Sequence, residues 1–181
     1  MQALVRACPV PAVIWNTESV PGLDIIPSTP FLSRIGIELS RDQGAAMRLR
    51  RDLRRLDYDY VIVDTPPSLS LELTLGLYAA DLVLVPVSAS RWTVQGYQII
   101  AEEVAAVADS IGIAPKIMAV PSMVTRVEAE ALRASDAWAC TAGAVYRDAP
   151  IKAAASEGRA LRVGTQAREW FAGLAEEVGR S

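Results

Sequence analysis

Histidine is absent from these 181 residues, which removes the usual side chain for proton transfer near neutral pH and the commonest metal ligand. The two cysteines, Cys8 and Cys140, lie far apart with no C-x-x-C, so zinc ligation and a clustered iron–sulfur centre are both unsupported. Isolated thiols fit a reducing cytoplasm. Lysine is nearly missing too. Lys116 and Lys152 are the only two, against sixteen arginines. Neither lysine sits in a glycine-rich loop or precedes Ser or Thr, and no G-x-x-x-x-G-K occurs, so the usual cradle for a triphosphate is not in these residues. No apolar run approaches membrane-span length, and the start, MQALVRACPVP, has no long apolar core, so no signal peptide is expected. A net charge of -3 exerts no global pull on nucleic acid, so DNA contact would need a local patch. No internal repeat is present.

What remains is an ordinary globular balance, half apolar and under a quarter charged, in one domain's length of chain. Its organising stretch runs from Tyr58 to Gly96. Val61-Ile62-Val63 and Leu82-Val83-Leu84-Val85 are continuous apolar runs, ended by Asp64-Thr65-Pro66-Pro67 and by Pro86. Such runs predict parallel strands covered on both faces, and Leu69, Leu73 and Leu77 predict a helix between them. Ligands of parallel sheets bind beyond the strands' carboxyl ends, where Asp64 would sit. A carboxylate there can hold Mg²⁺ through water; the alternative role is simply to cap the following helix.

Elsewhere, residues 2 to 8 predict a short helix, Val20-Pro21-Gly22 a tight turn, and Leu23 to Ser28 a strand. Ser40 to Leu56 predicts a helix with Leu49, Leu53 and Leu56 inward and a solvated arginine face outward. Val94, Tyr97, Ile100, Val104, Val107 and Ile111 predict a long amphipathic helix stopped by Gly112 and Pro115. Lys116 to Val120 predicts a buried strand ended at Pro121-Ser122. Glu128 to Trp138 predicts a helix, Cys140 to Tyr146 a small-residue strand, and Thr165 to Val178 a closing helix whose aromatics pack inward. That helix carries Glu169, Glu176 and Glu177 against Arg168 and Arg180, a balance that argues against docking on anionic membrane.

The stretch DYVIVDTPPSLSLELTLGLYAADLVLVPVSASRWTVQG resembles the switch II region and following strand of the ParA/Soj/MinD family of partition ATPases. VPGLDIIPSTPFLSRIGIEL resembles the family's GLDLIPS strand and the helix after it. YRDAPIKAAASEGRALR resembles its IPR-x-V-x-x-x-EA-x-x-x-G-x-P element, with Arg147 and Gly158 in register, Tyr146 standing for Pro and Ala153 for Glu. The resemblance implies the C-terminal two-thirds of such a protein, without its phosphate-binding loop. It implies a single α/β domain over residues 1–181, a mostly parallel sheet flanked by helices, incomplete relative to a P-loop NTPase. ATP and Mg²⁺ are the family's cofactors; Asp64 falls at the metal and Asp64, Thr65, Ser122 and Arg147 at the nucleotide.

In the family the phosphate-loop strand lies between the strands matching Val61–Val63 and Leu82–Val85. Without it, three outcomes are expected: direct closure of those two strands, pairing through the N-terminal segment or a second protomer, or a chain shortened by a mis-set start or a gene fragment. Two functions follow. One is a protein of plasmid or chromosome partitioning in the cytoplasm, at the nucleoid. It would not hydrolyse ATP in this form. It would form a homodimer or a heterodimer with an intact ParA-type ATPase, meet a ParB-type partner, and hold DNA phosphates non-specifically through Arg126, Arg133, Arg147, Lys152, Arg159, Arg162 and Arg168. The other is a non-enzymatic interaction module derived from such an ATPase.

Overall fold

Alternating apolar segments and helix-length amphipathic segments build this chain into an α/β protein, seen here in a computed structural model that describes residues 9–18, 20–28 and 44–180. The expected helix at 2–8 and the part of the Ser40–Leu56 helix before residue 44 lie outside the described residues. The chain divides into two compact units, Met1–Asp81 and Leu82–Ser181.

In the first unit, a 3₁₀ turn at Val10–Val13 leads to β1 (Trp15–Asn16), which pairs antiparallel with β2 (Asp24–Ile25). The Val20-Pro21-Gly22 turn joins them, with Gly22 at φ +79°, a conformation glycine adopts at no steric cost. α1 (Ala45–Leu53) packs on α2 (Leu71–Ala79) through Ala45, Leu49, Leu71 and Leu75. Ser70, and not Asp64, caps α2: its hydroxyl accepts from the Leu73 amide at 3.3 Å.

The second unit is a three-stranded parallel sheet in the order β3 (Leu82–Val87), β4 (Lys116–Val124), β5 (Val145–Tyr146). Between β3 and β4 runs α3 (Thr93–Ile111), which buries Tyr97, Val104 and Val107 and stops at Gly112 in the left-handed region, φ +68°. α4 (Arg126–Arg133), α5 (Ala149–Glu157) and α6 (Gln166–Gly179) follow. The expected parallel sheet and flanking helices are present.

Three local expectations are corrected. Pro86 does not end β3, which continues to Val87; β3 is an edge strand among the described residues, the place where a strand tolerates proline. Pro121 does not end β4. It pairs with Val87 at the last step of the β3 ladder, and the β5 ladder begins at Ser122, so its missing amide falls at the changeover between partners. The third is larger. Val61–Val63 is not a strand: residues 60–66 have no regular structure, and Val61, Ile62 and Val63 are 45, 91 and 44 % exposed. β-Branched composition favours a pleated surface but cannot supply the neighbour that makes one.

Candidate functional site

Parallel strands place all their carboxyl ends on one edge, and in the second unit that edge carries Val87, Val124 and Tyr146. Ser122 lies there on β4, half-buried, its hydroxyl donating to the Val120 carbonyl at 3.1 Å. Next to it Met123 takes φ +56°, which side-chain-bearing residues rarely adopt, and stands 71 % exposed. Thr125 then starts α4 with a reciprocal cap: its hydroxyl accepts from the Glu128 amide at 3.3 Å, and Glu128 Oε2 accepts from the Thr125 amide at 2.7 Å.

Arg147 closes this edge. Its Nε donates to the Met123 carbonyl at 2.8 Å and its Nη2 to Glu128 Oε1 at 3.1 Å, while its own amide donates to the Val124 carbonyl. Ser122 and Arg147 thus lie at the same sheet edge, and the guanidinium is spent on the loop that carries Met123. The Thr125 amide chiefly holds the Glu128 carboxyl below its ordinary value; burial opposes it, and the Thr125 hydroxyl and the Arg147 charge add smaller downward effects.

Asp64 and Thr65 belong to the first unit. Asp64 is exposed; Thr65 is half-buried, and it and Val63 rest against Gly76 of α2. A Cβ at Gly76 would meet Thr65 Cγ2 at 3.0 Å, so glycine allows the Asp64 loop to lie directly on the helix. Among the described residues no three acidic, Cys or His side chains cluster as metal ligands. Asp64 brings one carboxylate, whereas Mg²⁺ takes one or two plus phosphate oxygens and water. The lysine that would hold those phosphates has no counterpart here. Lys116 opens β4 at the opposite end of the sheet, and Lys152 lies on the first turn of α5. The residues present do not by themselves fit a Mg²⁺–triphosphate group.

The cationic candidates sort into two sets. Arg133 donates to the Thr141 carbonyl at 3.4 Å, Arg126 stacks over the Tyr146 ring at 5.6 Å, and Arg147 is committed as above. Lys152, Arg159, Arg162 and Arg168 are exposed along α5, the connection after it, and the start of α6. Arg159 pairs with Glu157, and Arg168 donates to the Leu161 carbonyl at 3.3 Å, leaving part of each guanidinium to solvent. Arg159 and Arg162 also rim an open groove of about 390 Å³ floored by Ala149, Pro150, Ala153, Leu161 and Thr165.

Sequence reasoning passed over three features. Arg50, read as part of a solvated face, is buried and donates to the Tyr78 and Ala80 carbonyls at 2.9 and 3.0 Å and to Asp81 at 3.3 Å. Glu177, read as an exposed acid, accepts from the amides of Ala142 and Gly143 at 2.7 and 2.9 Å. Trp92, 61 % exposed after β3, carries the Arg91 guanidinium over its ring at 4.5 Å. Only the basic character of the α1 face hinted at any of these, because each depends on what lies opposite in space.

Residues 1–117 match the model of an AAA-domain family. The chain is 37% identical over 97 residues to the chromosome partitioning protein ParA of Myxococcus xanthus, covering 52% of this chain and 34% of that protein. It is 38% identical over 85 residues to the sporulation initiation inhibitor protein Soj of Bacillus subtilis, covering 46% and 34%. The match thus spans about a third of the length of these curated relatives. By shape, the chain superposes on apo McdA of Cyanthece with a TM-score of 0.83 at 20% identity, covering 98% of this chain and 76% of that one. A plasmid partition protein of Borrelia burgdorferi bound to AMPPNP gives 0.77 at 19%, covering 99% and 73%. At such identities the shape comparison speaks for the fold alone.

Proposed function

Because the chain belongs to the ParA/Soj/MinD-type family of partition ATPases, we propose that it serves in partitioning a plasmid or chromosome as a member that does not itself turn over ATP. The observation that carries this reading is chemical. The strand ends that would face a nucleotide offer the Ser122 hydroxyl and an already engaged Arg147, with no lysine in a glycine-rich loop. Phosphoryl transfer depends on positioning and charge neutralisation, and these side chains supply little of either.

DNA is held through phosphates by the exposed Lys152 and Arg162, joined by Arg159 and Arg168, whose guanidiniums each have one internal partner, Glu157 and the Leu161 carbonyl. Arg126, Arg133 and Arg147 contribute less, since they lie at the Tyr146 ring, the Thr141 carbonyl and the Met123 carbonyl and not along α5 and the start of α6. The working species is a homodimer, or a heterodimer with an intact ParA-type ATPase that supplies the nucleotide cycle. A ParB-type protein is the expected further partner, and the cytoplasm at the nucleoid the expected location. No helix among the described residues is long and apolar enough to cross a membrane.

Fluorescence anisotropy on random-sequence duplex DNA, across a salt series with and without Mg²⁺–ATP, tests this. Affinity should fall steeply with salt and be indifferent to ATP, and Arg162→Ala should lower the slope of log K against log salt by about one. Binding that appears only with ATP would count against the reading.

A further inference from the structure

The groove at α5 lies wholly within the second unit and has two chemically distinct parts. Ala149, Pro150 and Ala153 of α5, with Leu161 and Thr165 from the connection to α6, make an apolar floor; Arg159 and Arg162 stand on the rim. We propose that it binds an aliphatic carboxylate, the chain along the floor and the carboxylate between Arg159 and Arg162.

The floor has almost nothing to hydrogen-bond with. Alanine, proline and leucine side chains carry no polar atom, and the Thr165 hydroxyl is already engaged twice. It donates to the Arg162 carbonyl at 2.8 Å and accepts from the Arg168 amide at 3.4 Å. The rim, by contrast, is net positive. Arg159 gives its Nε to Glu157 and keeps both terminal nitrogens, and the Arg162 guanidinium has no ion-pair or hydrogen-bond partner among the described residues. A planar guanidinium takes a carboxylate through two parallel hydrogen bonds. A fully charged ligand would leave the floor unused, and a neutral one would leave the arginines unused. The groove's volume of about 390 Å³ is that of a small-molecule site. Its walls are a helix and a turn, with no strand edge along which an extended peptide could pair. An open groove and a small ligand put the dissociation constant at about a millimolar.

Proton–nitrogen correlation spectra of the whole chain, titrated with octanoate in the absence of DNA, test this. The amides of Ala153, Leu161 and Arg162 should shift together and saturate. Octanol and acetate, each lacking one half of the ligand, should need about tenfold higher concentrations. Arg162→Gln, at an exposed position, should weaken octanoate about fivefold and leave octanol unchanged. Ala153→Glu substitutes another good helix former, sets a carboxylate on the floor, and should raise the octanoate Kd about tenfold or more. Absent or scattered shifts would overturn the proposal, as would octanol binding as well as octanoate or indifference to Arg162→Gln. So would saturable shifts from a short peptide alternating glutamate and leucine with none from octanoate, which would make the groove a seat for a partner's acidic segment. The inference does not rest on the partition reading. Octanoate bound by a chain that ignores DNA would leave it standing and remove the DNA contact; the reverse result would do the opposite.

Discussion

Arg50 shows most clearly how one side chain holds the first unit. It reaches from α1 to two carbonyls at the end of α2, where helix geometry leaves acceptors without internal partners. Arg50→Leu should lower unfolding free energy by about 2–4 kcal/mol, chiefly through those two stranded carbonyls, since Asp81 is 73 % exposed and stays hydrated. Arg50→Lys should recover a minority of the loss, because one ammonium cannot reproduce the fork. Urea titrations of the three proteins check the order. Gly76 is subtler. Ala in a helix interior ordinarily gains about 1 kcal/mol over Gly, but here its Cβ meets Thr65 Cγ2 at 3.0 Å. Gly76→Ala alone should be neutral or destabilising, and adding Thr65→Ser, which can turn its hydroxyl and lacks the methyl, should restore the gain. A double-mutant cycle in which the two changes simply add would refute the contact. Glu128 gives a pH prediction. Its folded carboxyl lies below the ordinary 4.5, so its stabilising effect is present above that value and lost as pH falls through the lower folded one. The Thr125 amide resonance should move with that titration, and should not in Glu128→Gln.

Among the elements, helices were read well and strands unevenly, for a physical reason. A helix satisfies its backbone from within, so spacing such as Tyr97, Val104, Val107 with Gly112 beyond is enough to place α3. Boundaries moved where caps decide them: Thr125 starts α4 before the apolar pattern does, and Thr125→Ala should cost about 1 kcal/mol in thermal or urea unfolding. A strand needs a neighbour, and sequence names the need without naming the neighbour. Val61–Val63 and Leu82–Val85 looked alike, yet β4 lies beside the second and no described residue pairs with the first. Of the site residues, Ser122 and Arg147 lie at the carboxyl edge of the sheet, and Asp64 and Thr65 in the first unit. That Arg147 would be spent on Met123 and Glu128 could not be read, because the positive φ of Met123 leaves no mark in its residue type.

Taken whole, the molecule carries the sheet and flanking helices of a partition ATPase, and its two close structural neighbours are matched over 73% and 76% of their length. The role proposed here uses this architecture for DNA and partner contact, in separation from ATP turnover. Calorimetric titration of the 181-residue chain with Mg²⁺–ATP tests that separation most directly. The account predicts no saturable heat, and the same for Asp64→Ala. Stoichiometric binding at about micromolar affinity, abolished by Asp64→Ala, would contradict it.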